Sequence, residues 1–209
     1  LPEEVFKFVT TYGLPLDIIR DELHWKGDYK KVEELLEKHR ELSKTASAGM
    51  FKGGLADSSE EVTKLHTATH LLHSALRKVL GESVSQKGSN ITAERLRFDF
   101  SFPEKLTAEQ VKKVESLINE VVDKDLPVSF ETKTLEEATK EGALHFFGER
   151  YGKEVKVYTV GNPDGDWFSK EVCGGPHVKN SKAIGHVRIV KQEKVGSGTV
   201  RVYATNKPE

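Results

Sequence analysis

Cysteine occurs once in the 209 residues, at Cys173. That excludes an internal disulfide, and an unpaired thiol suits a reducing compartment. Long apolar runs are missing too: nothing approaches the roughly 20 residues that cross a bilayer as a helix, and no signal peptide opens the chain. No membrane is expected, and the cytoplasm is the default location. Neither sign of charge is in excess, with 32 Lys and Arg against 33 Asp and Glu, net charge -1 and a pI of about 6.8. There is no global basic signal for nucleic acid, so any RNA contact needs a local patch. Internal repeats are absent. With 36% hydrophobic and 31% charged residues, the chain can bury one good core and a smaller satellite unit. It opens Leu1-Pro-Glu-Glu4 without an initiator Met, at a helix start, and reads as a piece of something longer.

What is present is a pair of distant dyads, His66-Thr-Ala-Thr-His70 and Cys173-Gly-Gly-Pro-His177. Residues four apart share a helix face, so a helix over 61–80 points His66 and His70 the same way. Gly174, Gly175 and Pro176 leave little between Cys173 and His177 but a tight turn. Together the dyads offer a tetrahedral zinc site of His66, His70, Cys173 and His177. The position after the first His is Thr67, where a zincin needs Glu as general base. Metalloprotease chemistry is thereby excluded, and water must be positioned by another group.

Residues 1–46 read as a small all-helical segment, with Val5, Phe8, Val9 and Tyr12 on one face and a stop at Gly13. Leu16, Ile19 and Leu23 follow, then a third segment capped by Asp28 and carrying Val32, Leu35, Leu36 and Leu42. Residues 47–59 break the periodicity and are expected to be a linker. From residue 60 to 209 the pattern is α+β, mostly antiparallel sheet with packed helices. The histidine helix ends at Gly81, and strands are expected near 84–87, 95–102, 155–160, 167–172, 184–191 and 199–204. Thr107 with Gln110, and Thr134 with Glu137, form capping boxes ahead of a long amphipathic helix and a short one.

Four ordered motifs resemble the editing domain of alanyl-tRNA synthetase: the run His66 to Gly81, Val84-Ser-Gln-Lys-Gly-Ser89, Leu96-Arg-Phe-Asp-Phe100 and Cys173-Gly-Gly-Pro-His177. The likeness covers 60–205, and Phe6 to Asp17 resembles the end of that enzyme's helical tRNA-binding region. It implies hydrolysis of the ester joining serine or glycine to alanine tRNA, with the tRNA acceptor end as partner and zinc on His66, His70, Cys173 and His177. ATP and alanine activation would belong to the parent chain. Three features depart from the family. Pro176 stands where Thr is usual, as in the related threonyl-tRNA synthetase editing domain; the β-barrel before the editing core is missing; and Gly196 to Ala204 matches the family's ending only loosely.

The chemistry is expected on His66, His70, Cys173 and Gln86. Four protein ligands ordinarily make a structural zinc site and three a catalytic one, so two mechanisms stand: zinc holding substrate or water after a ligand moves, or zinc organising the pocket around other polar groups. Gln86 is expected to bond a seryl hydroxyl or orient water. Lys87, Arg95 and Arg97 are the expected phosphate contacts, with Arg77 and Lys78 in the same patch. His73 is expected behind the ligands or at the surface, and His145 and His186 have no supporting context. Two alternatives remain: threonyl-type editing of seryl-tRNA, and a zinc-stabilised tRNA-binding module without hydrolysis.

Overall fold

The computed structural model describes residues 1–12, 16–21, 25–47, 54–146, 151–196 and 198–208. Three helices open the chain: α1 (Pro2–Tyr12), α2 (Leu16–Asp21) and α3 (Tyr29–Ser47). Their apolar faces meet in a small core of Val5, Ile19 and Val32, with Val9, Leu16, Trp25 and Leu36 around it. Asp28 caps α3, its Oδ1 accepting from the Lys31 N–H at 3.0 Å. Phe8, expected on the apolar face, is 48% exposed. Gly13 and Leu23 lie outside the described residues, as do the side chains of Tyr12 and Leu42.

The rest is α+β, as its alternating patterns require. Helix α4 (Glu60–Leu80) is capped by Ser59 and ended by Gly81 at φ 109°, a backbone geometry that glycine adopts without steric cost. Strands β1 (Gln86–Ile91) and β2 (Leu96–Ser101) follow, then α5 (Ala108–Asp123) behind its Thr107/Gln110 capping box. Next come β3 (Val128–Thr134), α6 (Leu135–Lys140) behind the Thr134/Glu137 box, β4 (Glu154–Gly161) and β5 (Trp167–Val172). A short 3-10 turn (Ser181–Ile184) leads to β6 (Arg188–Lys194) and β7 (Thr199–Thr205). Two antiparallel sheets result, ordered β1-β2-β7-β6 and β3-β4-β5.

Period-two alternation sends Leu96, Phe98 and Phe100 of β2, and Val200, Val202 and Ala204 of β7, into one core with the apolar stripes of α4 and α5. On the opposite face of that sheet Asp99 stands across from Arg201 and accepts its guanidinium through two bonds of 2.7 and 2.8 Å. The smaller sheet packs α6 against one face through Ala138, Val155 and Val157. Its other face meets α4 at β5. Thus α4 lies between sheet edges and is buried over nearly its whole length from Val62 to Leu76. A helix buried on all sides must find partners for its polar residues.

Three expected boundaries differ. The strand expected at 84–87 starts at Gln86 and runs to Ile91, because its polar residues pair with β2 while only its end is apolar. In the run expected at 184–191 the 3-10 turn ends at Ile184 and the strand begins only at Arg188. Strand β3 was hidden because most of it faces solvent and its backbone pairing to β4 leaves no apolar stripe. Within the expected break at 47–59, Leu55 is buried in the main core. The Ala56 N–H donates to the Ile91 carbonyl at 2.9 Å, and the Ile91 N–H to the Gly54 carbonyl at 2.8 Å, so 54–56 lie along β1. Among the described residues no helix is long and apolar enough to cross a membrane.

Because Phe98 is fully buried where both long helices meet the sheet, Phe98→Ala should lower unfolding free energy by about 3–5 kcal/mol. Urea titration measures this, and a loss below 1 kcal/mol would mean that the core collapses around the gap.

Candidate metal centre

Four donors converge where α4 meets the turn after β5. The ligating atoms of His66, His70, Cys173 and His177 all lie within 4.8 Å of one another. Cys173 Sγ and His66 Nε2 are 3.3 Å apart. Helical spacing sets the first two imidazoles one above the other, edge to face at 5.3 Å between centroids. The His177 ring stacks on His66 at 4.2 Å and meets His70 at 4.4 Å.

The approach of the turn depends on glycine: a Cβ on Gly175 would lie 2.3 Å from His66 Cε1, so any side chain there would drive the turn off the helix. Hydrogen bonds then fix the ring orientations. His66 Nδ1 lies 2.9 Å from the Pro176 carbonyl; the carbonyl only accepts, so Nδ1 carries the proton and Nε2 offers its lone pair towards the thiol. Thr67 orients His177. Its hydroxyl donates to the Thr63 carbonyl at 3.1 Å and accepts from the Val178 N–H at 3.2 Å. With that proton committed, the 3.1 Å contact to His177 Nδ1 requires the imidazole to donate. His177 Nε2 is then a buried lone pair with no hydrogen-bond partner in the structure.

A metal ion fits these observations. Ligand atoms on a tetrahedral zinc bonded at about 2.0–2.3 Å stand roughly 3.3–3.8 Å apart, so the set closes on an ion with movements of about 1 Å at its widest. The orphaned Nε2 of His177 gains a partner, and the His66 and His177 rings, held through Nδ1–H by outer acceptors, match how ligating imidazoles are oriented. Protonation agrees as well. Burial, then the neighbouring His70, pushes His66 down to about 3. Burial likewise lowers His70, and holds His177 well below its usual range, with His70 and His66 adding to the effect. All three imidazoles are neutral at pH 7, the form that binds metal.

Gln86 lines the same cavity as His66, His70 and Cys173, with its amide Nε2 3.3 Å from Ser89 Oγ. Lys87, Arg95 and Arg97 do not line it. Lys87 is exposed at the β1 irregularity, Arg95 donates to the Asn90 carbonyl at 3.1 Å, and Arg97 lies 3.7 Å from Asp99 on the outer sheet face. His73 is buried, with Nδ1 3.1 Å from the equally buried Glu171 carboxylate. His145 lines the cavity, while His186 pairs with Asp123 at the surface, 2.8 Å away. The sequence analysis passed over Glu171, Tyr158 (ring 4.2 Å from His177) and the orienting role of Thr67. The signal for Thr67 was available: a small hydroxyl inside HxxxH, where a helix-surface residue has no need of one.

Residues 155–203 match the family model described as the threonyl and alanyl tRNA synthetase second additional domain. The chain is 50% identical over 202 residues to an alanine–tRNA ligase of Treponema denticola. Identity is 48% to that of Borrelia hermsii and 46% to that of Treponema pallidum. Each alignment covers 95% of this chain and 33% of the relative. The chain is thus similar to one segment of these alanine–tRNA ligases. It spans about one third of the length of these relatives, and β4, β5, Cys173 and His177 fall inside the matched additional domain.

Thr67→Val removes the hydroxyl that orients His177 but keeps the shape, and should weaken zinc affinity by about 10–100-fold. Competition with a chromophoric chelator measures it, and unchanged affinity would detach Thr67 from the centre. In the metal-free protein, acid should destabilise the fold. Below about 6.5 the unfolded chain binds protons at these histidines while the folded chain does not until near 3 for His66. Stability is therefore fully present above pH 6.5 and falls by up to ~1.4 kcal/mol per pH unit for each buried imidazole below it. Denaturation at pH 7.5, 6 and 5 tests the sign, and a flat profile would contradict neutral burial.

Proposed function

We propose that this segment is a post-transfer editing module that hydrolyses the ester joining serine or glycine to alanine tRNA, within a parent enzyme that ligates alanine. The observation that carries the reading is one cavity lined by His66, His70, Cys173 and Gln86, with His177 completing a set of four N and S donors within 4.8 Å of one another, in a chain that matches alanine–tRNA ligases. An activation pocket for alanine cannot strongly reject the smaller glycine, and serine adds only a hydroxyl, so a second hydrolytic site supplies the missing discrimination.

Zinc on His66, His70, Cys173 and His177 would supply Lewis acidity, polarising the ester carbonyl or lowering the pKa of water. The chain's own groups do the positioning. Thr67 and the Pro176 carbonyl hold the His177 and His66 rings, and the Gln86 amide orients the attacking water or bonds the seryl hydroxyl. Water adds to the carbonyl carbon, the bond to the ribose oxygen breaks, and free amino acid leaves while the ribose oxygen regains a proton. Pro176 gives no support to a threonyl-type substrate, because its contact to His66 is made by the backbone carbonyl, which any residue supplies. Lys87, Arg95 and Arg97 remain candidates for phosphate contacts farther along the tRNA.

Cys173→Ala should lower single-turnover deacylation of seryl-alanine tRNA by at least about 100-fold, and Gln86→Ala should slow seryl more than glycyl substrate, since only serine loses a side-chain hydrogen bond. Wild-type rates in Cys173→Ala would remove the centre from the reaction. Equal losses in Gln86→Ala would assign that amide to water alone.

A further inference from the structure

Outside the cavity, the larger sheet turns its second face away from α4 and α5, and the side chains on that face fall into two rows that cross the strands. Register places Asn90 of β1, Arg97 of β2, Tyr203 of β7 and Lys191 of β6 in one row. Gly88, Asp99, Arg201 and Glu193 form the next. The first row carries cations and no carboxylate, and the second carries Asp99 and Glu193. Arg95, where the chain turns from β1 into β2, leans onto the first row with its guanidinium carbon 5.5 Å from the Tyr203 ring centroid.

The carboxylates of the face are already taken up. Asp99 gives both oxygens to Arg201, at 2.7 and 2.8 Å. Glu193 pairs with the Lys191 ammonium at 2.7 Å and accepts from the Tyr203 hydroxyl at 3.2 Å. Arg97 lies 3.7 Å from Asp99, beyond hydrogen-bond range, and its Nε is buried without a hydrogen-bond partner. Arg95 donates to the Asn90 carbonyl at 3.1 Å, and among the described residues it has no carboxylate in ion-pair range. Four cations thus face two carboxylates, in a chain whose net charge is -1. Burial disfavours the Arg97 charge most; Asp99 offsets part of that, and Arg201 and Arg95 add repulsion. An anion laid across Arg95 and Arg97 would relieve all of this at once.

The face meets the metal-centre cavity along β1. Gln86, Gly88 and Ser89 line the cavity, while Gly88 and Asn90 stand in the two rows. A polyanion whose end enters the cavity therefore continues past the guanidiniums. We propose that the outer face of the β1-β2-β7-β6 sheet is a binding surface for the phosphate backbone of the base-paired RNA stem leading away from the ester-bearing end. Arg95 and Arg97 are its phosphate contacts, and Asp99, Arg201 and Tyr203 are the frame that positions them. Guanidinium forks match phosphate oxygens two at a time. The one aromatic ring in the rows, Tyr203, is engaged by Arg95 and Lys191, so the face offers phosphate contacts rather than a platform for unpaired bases. The choice of RNA over an acidic polypeptide rests on the deacylase reading above, whereas the surplus of positive charge does not.

The test is fluorescence anisotropy of the whole chain with an unacylated stem-loop RNA carrying a single-stranded 3′ end, repeated across a salt titration. Arg97→Gln breaks no hydrogen bond of Arg97 seen in the structure and leaves the Asp99–Arg201 fork in place. It should lower affinity by about tenfold and reduce the slope of log affinity against log salt by roughly one. Adding Arg95→Gln should bring the loss of slope to roughly two. Lys140→Gln, an equal change of charge on the exposed end of α6, should change neither. Wild-type affinity and slope in Arg97→Gln, or the same loss in Lys140→Gln, overturns the surface. Binding of poly-glutamate that Arg97→Gln abolishes, in protein that does not bind the stem-loop, assigns the face to an acidic polypeptide and overturns the RNA claim. Cleavage of seryl-alanine tRNA by the unsubstituted chain separates the two readings. Cleavage with unchanged slopes in the variants sinks the surface and leaves the deacylase. Lowered slopes without cleavage uphold the surface and sink the deacylase.

Discussion

The structure around the candidate metal centre depends on one close approach, that of the turn 173–177 to helix α4. Gly175 permits it, since a single methyl group there would collide with the His66 ring. Thr67 secures it through three contacts to one oxygen: to its own helix at Thr63, to the Val178 N–H and to His177. These bonds do two tasks at once. They satisfy polar groups on a helix that is buried on every side, and they set the His177 tautomer that leaves its Nε2 as a lone pair. Position 67 is where a metalloprotease helix carries its general base. Here the same position has been given over to architecture, so proton management falls to groups elsewhere in the cavity.

Burial and chemistry are coupled at this centre. Three imidazoles placed together without water are held neutral by desolvation, and a neutral imidazole is both a metal ligand and a source of acid lability. Because the donors come from two pairs more than 100 positions apart, the full set is not preformed in the unfolded chain, and any metal affinity would be part of folding free energy. The main core under α4 makes that affordable: Phe98 and Phe100 on β2 and the apolar stripes of α4 and α5 hold the helix rigid while its polar face is spent on ligands.

The cavity joins two chemistries in one enclosure, a polar half built from α4 and β1 and an aromatic and cationic half built from the 144–156 stretch. Strand β5 links them, pairing through its backbone with Leu144 on one side and running directly into Cys173 on the other. Lys87, Arg95 and Arg97 stand outside this enclosure, and Arg95 and Arg97 lie near Asn90 and Asp99.

Local pattern alone determined a good deal. The capping boxes at Thr107 and Thr134, the stop at Gly81 and the alternation of Leu96, Phe98 and Phe100 each encode their element within a few residues, and all appear in the fold. The four donors were legible because HxxxH fixes two of them by helical spacing and a five-residue turn fixes the other two. Strand β3 was not legible, since it faces solvent for most of its length and is held by backbone pairing to β4; backbone hydrogen bonds leave no trace in side-chain periodicity. Nor could sequence show that Thr67 orients His177, that Glu171 pairs with His73, or that Phe146 and Lys156 share a cavity with Cys173. Residue type and spacing decide which groups can act. Only the packing of α4 against β5, which brings distant segments within hydrogen-bonding range, decides which of them meet.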